Sequence, residues 1–296
     1  MSKLVVPLVL VACGSPQAAI DAPPDAPECT ALAECVWLDD YQRHIVGSLA
    51  GERDITPGIR LAHRESVVER DAARAFLLAE LSALGYDAQR QDYATGANVV
   101  ARLEATGGDD RLIVVGAHFD SVPEGPGAAD NATGVAIVLA AARYLRDVPV
   151  RQHPIAFVMF DEEELGLVGS RAYVRSLIQA QARVGAAHIF DMLSFDGDRD
   201  RTVELWSASS AIAAQYERQG PAAGTPIVRV AFSSSDHQAF LDSSMAATGI
   251  GEEFVSGDHT PHYHMATDTY ANVDFGHLAT VTHLALAVLE AALAAP

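Results

Sequence analysis

Residues 112–120, Leu-Ile-Val-Val-Gly-Ala-His-Phe-Asp, form an apolar, β-branched run that ends in a histidine and an acid. The turn Gly107-Gly-Asp-Asp110 precedes it, and an apolar run bounded by a turn predicts a buried strand over Leu112–Gly116. Outward from it, Val135–Leu145 reads as a buried helix, Ile155–Phe160 as a second buried strand and Gly169–Ile178 as another helix. Upstream, Ser66 and Glu69 have capping-box spacing before Ala73, Leu77, Leu81 and Leu84, and Gly85 stops that helix. Asn98–Leu103 reads as a strand, with weaker strand signals at Ala187–Phe190, Val203–Trp206 and Ile227–Val230. A last helix places Leu278, Val281, Ala285, Val288 and Ala292 on one face. Strands alternating with helices predict an α/β three-layer sandwich around a mainly parallel mixed sheet.

In such sheets, polar residues just beyond a buried strand collect in the crevice at the strand ends. His118 and Asp120 are two apart, so an extended backbone projects them to the same side. Asp130 opens the next helix, and Asp161-Glu-Glu-Glu164 follows the second strand immediately. Four consecutive acids repel one another unless protons or cations intervene. Asp191 follows another strand, and Asp258-His-Thr-Pro-His-Tyr-His264 packs three histidines into six residues. Three such histidines suggest a metal, but spacing alone does not choose among His259, His262 and His264.

Composition limits the partners. With 20 basic against 39 acidic side chains, the formal net charge of the 296-residue chain is -19. That balance argues against nucleic acid and against a basic patch on anionic lipid. No apolar run is expected to reach the length needed to span a bilayer. Lys3 followed by an apolar stretch predicts a secretory signal over residues 1–12. Leu10-Val-Ala-Cys13 resembles a bacterial lipobox, so Cys13 is the expected lipid acceptor; a plain signal peptide is the alternative. Cys29 and Cys35 remain as a possible disulfide pair within a Pro- and Ala-rich tether over residues 13–35. Residues 36–296 are expected to form one catalytic domain, exported to the cell envelope on the periplasmic or outer-surface side and touching the membrane only through that lipid.

The motifs Gly116–Val122, Asp130–Val135, Glu163–Ser170, Asp191–Met192, Ser235–His237 and Tyr263–Thr269 occur in an order that resembles a known family. It is that of the co-catalytic zinc aminopeptidases of clan MH, of the aminopeptidase S and bacterial leucyl aminopeptidase type. The resemblance implies a phosphorylase/hydrolase-like zinc exopeptidase fold and two zinc ions per chain. One zinc is expected on His118 and Asp191, the other on Glu164 and His264, with Asp130 bridging. It implies Glu163 as general base, Tyr263 as support for the oxyanion and Asp120 as the group that orients His118. His237, His259 and His262 are then expected at structural or peripheral positions. Peptides with a free N-terminus are the implied substrates.

The chain departs from the family pattern at Met265, where threonine is usual, and at Ala129, where an acid is common. Neither position is a ligand. The acid string also permits Glu162-Glu163 as the functional pair, and the Gly166-Leu-x-Gly-Ser170 anchor favours Glu163-Glu164. Three competing functions are a single-zinc glutaminyl cyclase, a carboxypeptidase-type relative and a non-catalytic surface binding domain of the same fold.

Overall fold

The computed structural model describes Cys29 and residues 35–295. The signal run, Cys13 and the rest of the tether lie outside the described residues. The sulfurs of Cys29 and Cys35 form a disulfide.

Helices α1 (Leu38–Leu49) and α2 (Val67–Ala83) precede strands β1 (Gln89–Asp92) and β2 (Ala97–Leu103). Then come β3 (Leu112–His118), α3 (Thr133–Leu145), β4 (Ile155–Phe160), α4 (Val168–Gln179) and β5 (Val184–Phe190). The second half holds β6 (Val203–Trp206), α5 (Ser210–Ala223), β7 (Ile227–Val230), α6 (His237–Leu241), β8 (Ala247–Gly251) and α7 (Phe275–Ala294). The strands form one sheet in the order β1-β2-β4-β3-β5-β8-β6-β7. Its central strands β4, β3, β5 and β8 run parallel, while β2 and β6 lie antiparallel to their inner neighbours.

Strand periodicity builds the layers. Ile113, Val115 and Ala117 face an apolar layer with α1, α2, α3, α5 and α7, while Leu112 and Val114 face α4 and α6. Ser66 caps α2 by accepting the Glu69 N–H. By length and composition α7 could cross a bilayer, which corrects the expectation that no run is long enough. Its Leu278, Val281, Leu284, Val288 and Leu289 are nonetheless buried in the main apolar layer, as in a core helix.

The connection after β3 leads to β4 on one side, whereas that after β5 leads to β6 on the other. The loops therefore diverge between β3 and β5, opening a crevice at their C-terminal ends. His118 ends β3 and Asp191 follows β5, so the sequence delivers both to that opening.

The sequence carries no expectation of β1 or β8. All four residues of β1 are polar, on the sheet edge. Strand β8 reads Ala-Thr-Gly-Ile-Gly, a weak strand pattern explained by packing. A Cβ on Gly251 would lie 2.1 Å from Trp206 Cζ2, so that indole needs a bare backbone beside it.

Candidate metal centre

Five of the expected ligands converge on one pocket. His118 Nε2 lies 3.2 Å from Asp130 Oδ1 and 3.5 Å from Asp191 Oδ1. His264 Nε2 lies 3.2 Å from Asp130 Oδ2 and 3.1 Å from Glu164 Oε2. Asp130 thus turns one oxygen toward each histidine, and each histidine faces one further carboxylate. Glu163 and Tyr263 line the same pocket.

Each group has a local cause. The loop from β3 turns Asp120 back, so that its Oδ1 faces His118 Nδ1 at 3.4 Å. The same carboxylate accepts the backbone N–H groups of Glu163 and Glu164, each at 3.1 Å. Asp130 sits in the turn before α3, and Asn131 ties that turn to the end of β5. Its amide donates to Phe190 O at 2.9 Å, and its Oδ1 accepts from Gly134 N and Met192 N. A Cβ at Gly134 would meet that Oδ1 at 2.3 Å, which is why the Asp-Asn-x-x-Gly motif needs its glycine. Ser235 donates to Asp191 Oδ2 at 2.7 Å.

The acid string divides cleanly. Asp161 pairs with Arg70 at 2.9 Å and with Arg74 at 2.5 Å, and Glu162 pairs with Arg70 at 2.9 Å. Glu162 also accepts from Thr95 Oγ1. Glu163 and Glu164 are left to face the pocket. Backbone φ is positive at Glu162, Met192 and His264, so strained residues cluster where the chain turns into the pocket.

Charge and burial act together on these groups. Burial pushes the Glu163 carboxyl well above the usual range, and Asp236, Asp191 and Glu164 add to the push against His118. Burial also raises Glu164, against a hydrogen bond from His264. Burial would raise Asp130 as well, but hydrogen bonds from both histidines hold it below the carboxylate range. Hydrogen bonds to Asp130 and Glu164 push His264 up to about 10. Burial and four neighbouring carboxylates raise the Tyr263 phenol, which keeps it a hydrogen-bond donor.

The residues fit a metal. Glu164 Oε1 and Asp191 Oδ1 are buried without a hydrogen-bond donor, in a pocket that packs four carboxylates against two imidazoles. Donor atoms of His118, Asp130 and Glu164 lie within 4.8 Å of one another. Imidazole and carboxylate donors suit a divalent transition ion, whose charge would relieve the crowding.

His237, His259 and His262 do not join this set. His237 Nε2 shares a hydrogen bond with Phe232 O at 2.9 Å, His259 packs on Phe254, and His262 Nδ1 meets Thr267 Oγ1 at 2.9 Å. Two supports were not singled out by the sequence reading as site residues. Arg64 is fully buried and donates to Phe119 O, Leu49 O, Pro126 O and Gly127 O, which knits the loop between β3 and Asp130. Asp268 accepts Ala129 N at 2.7 Å and Asp130 N at 3.1 Å. Its place in the Tyr263–Thr269 motif was its only trace in the sequence. Trp206, Phe232 and Phe254 form an aromatic wall of the same pocket, with Trp206 and Phe232 centroids 4.6 Å apart.

An α/β sheet with paired histidine–carboxylate sites joined by a shared aspartate at its switch point defines a class of metal-dependent α/β protein. The chain belongs to peptidase family M28, whose model matches residues 98–289, more than half of its length. It is 31% identical over 208 residues to the probable lipoprotein aminopeptidase LpqL of Mycobacterium tuberculosis, covering 60% of this chain and 41% of that protein. The chain spans less than half the length of the curated relatives it matches. LapB from Legionella pneumophila shares the fold with a TM-score of 0.74 at 20% identity, over 86% of this chain and 71% of that one. Porphyromonas gingivalis glutaminyl cyclase does so with a TM-score of 0.69 at 20% identity, over 86% and 98%.

Proposed function

We propose that this chain is a two-zinc aminopeptidase that releases N-terminal residues from peptides. The observation that carries the proposal is the position of Asp130, with one oxygen toward His118 and the other toward His264. His118 and Asp191 would hold one zinc, Glu164 and His264 the other, with Asp130 shared. When bound, the two ions would supply Lewis acidity and lower the pKa of a water between them. Three carboxylates and a hydroxide would balance the charge of two zinc ions.

The remaining work falls to the chain itself. Asp120 holds His118 so that Nε2 faces the ligand set. Glu163, whose buried carboxyl has a raised pKa, takes the proton from the attacking water and delivers it to the departing amine. Tyr263 donates to the oxyanion as the carbonyl becomes tetrahedral. The wall of Trp206, Phe232 and Phe254 accepts an apolar N-terminal side chain, while the surrounding carboxylates attract the substrate α-ammonium. Membership of a peptidase family and a relative named as an aminopeptidase support the same reading.

The test is hydrolysis of leucyl-p-nitroanilide by zinc-loaded protein, with and without a chelator. Chelator-sensitive release of nitroaniline with two zinc ions per chain is expected. No release by fully loaded protein overturns the proposal, and one tightly bound zinc per chain would fit the cyclase reading instead. We also assign residues 1–12 to a signal peptide, Cys13 to a lipid anchor, 13–35 to a tether and 36–296 to the catalytic domain. The named lipoprotein relative supports this, and metabolic labelling with a fatty-acid probe, lost in Cys13→Ala, tests it.

A further inference from the structure

A second group of acids lies apart from the pocket. Residues 196–200 read Asp-Gly-Asp-Arg-Asp, and donor atoms of Asp196, Asp198 and Asp200 fall within 4.8 Å of one another. Donor atoms of Asp198, Glu253 and Asp258 form an overlapping group of the same size, so Asp198 belongs to both. Among the described residues, no arginine forms an ion pair with Asp196, Asp198, Asp200, Glu253 or Asp258. Backbone N–H groups meet Asp196, Asp198, Asp200 and Asp258, but two overlapping triads of acids with no arginine partner remain an arrangement that like-charge repulsion opposes.

An independent feature points to an occupant. His277, in the first turn of α7, has a side chain only 1% exposed, and neither ring nitrogen has a hydrogen-bond partner. Its Nδ1 faces Asp196 Oδ2 at 3.8 Å. Burying a polar group unsatisfied costs about 1–3 kcal/mol. A gap too wide for a hydrogen bond is the separation left between two groups that share one ion or an ion-bound water.

We propose that Asp196, Asp198, Asp200, Glu253 and Asp258, with His277 behind Asp196, form a site for a hard divalent cation of the calcium class. Carboxylates at alternate positions of a short loop are the donor set such ions select, since they take six to eight oxygens in flexible geometry. The ion would join residues 194–202 to the segment that carries Phe254, Tyr263 and His264. It would therefore brace the aromatic wall and one histidine of the zinc pocket without touching either. Glu252 already ties the same two segments, accepting Ser194 N, Phe195 N and Thr260 N.

The experiment uses zinc-loaded full-length protein prepared without calcium, titrated with calcium chloride by calorimetry and followed by thermal melts. One calcium per chain is expected, with a rise in Tm of about 5 °C at one hundred times the dissociation constant. Asp198→Asn should weaken calcium binding at least about tenfold, since it removes the carboxylate common to both groups. Its calcium-free Tm should hold or rise, because a repelling charge is gone. Asp92→Asn, on the far edge strand, should bind calcium as the parent does. A parent protein with neither binding heat nor melt shift overturns the proposal. So does an Asp198→Asn variant that binds calcium as tightly as the parent.

Discussion

Arg70 reaches from α2 to hold Glu162 at 2.9 Å, and this ion pair decides which of four consecutive acids face the pocket. Asp161 and Glu162 are neutralised by arginines, and Glu163 and Glu164 are left beside the histidines. Two variants separate the roles. Glu163→Gln should bind zinc normally and lose about 100- to 10,000-fold in kcat, the range of a lost general base. Glu162→Gln should keep most activity and lose about 1–3 kcal/mol of stability, because the buried Arg70 loses its charged partner and an amide NH2 replaces one of the two acceptor oxygens that Arg70 and Thr95 use. Steady-state kinetics with zinc analysis and denaturant melts check both. Full activity in Glu163→Gln would remove it from the mechanism.

Asp268 supports Asp130, the shared ligand of the proposed zinc pair, through backbone alone, by accepting Ala129 N and Asp130 N. Asp268→Asn keeps the shape but replaces one acceptor with a donor that faces an N–H. Zinc affinity should fall by about 10- to 100-fold, the usual effect of disturbing a group that holds a ligand. Competition against a chromogenic chelator measures it. A variant with lowered Tm and unchanged zinc affinity would make Asp268 structural only.

What was legible in the sequence follows from which forces are local. Buried parallel strands read as apolar runs, so β3 and β4 stand within a residue or two of their expected limits. The pocket histidine could not be chosen by spacing among His259, His262 and His264, because the choice depends on contacts between loops distant in sequence. Arg64, Arg70 and Arg74 look like ordinary surface residues in the sequence. Their burial comes from a carbonyl and carboxylates just beyond the ends of β3 and β4, more than fifty residues away. Strand β8 stayed hidden because its glycines serve Trp206, a residue of another strand.

His188 on β5 is fully buried against Tyr216, and burial pushes its pKa down to about 4. The unfolded chain takes up a proton near pH 6.5 that the fold refuses. The fold's full stability from this group is therefore present above pH 6.5 and is lost as pH falls toward 4. By pH 5 the loss is about 2 kcal/mol. His188→Phe should reduce the difference in unfolding free energy between pH 8 and pH 5 by that amount, whatever its effect at pH 8. Urea titrations at the two pH values give the difference. Equal pH dependence in parent and variant would rule out His188 as a source of acid lability.

Trp206 is placed by the bare backbone of its neighbouring strand. Its Nε1 donates to Glu204 Oε2 at 2.9 Å, and Glu204 in turn accepts Val255 N and Ser256 N. Gly249 and Gly251 would place a Cβ 2.7 and 2.1 Å from the indole. Gly251→Ala must therefore displace Trp206 or the backbone of β8, an overpacking cost of about 1–3 kcal/mol. If the wall receives the substrate side chain, the same substitution should raise KM for leucyl-p-nitroanilide more than for alanyl-p-nitroanilide, since only the larger side chain reaches the displaced ring. Trp206→Phe keeps the Gly251 backbone and shortens the wall, so it should show the same selectivity change with less loss of stability. Parallel melts and kinetics on both substrates read the two effects separately. A uniform change in both KM values would place the side-chain pocket elsewhere.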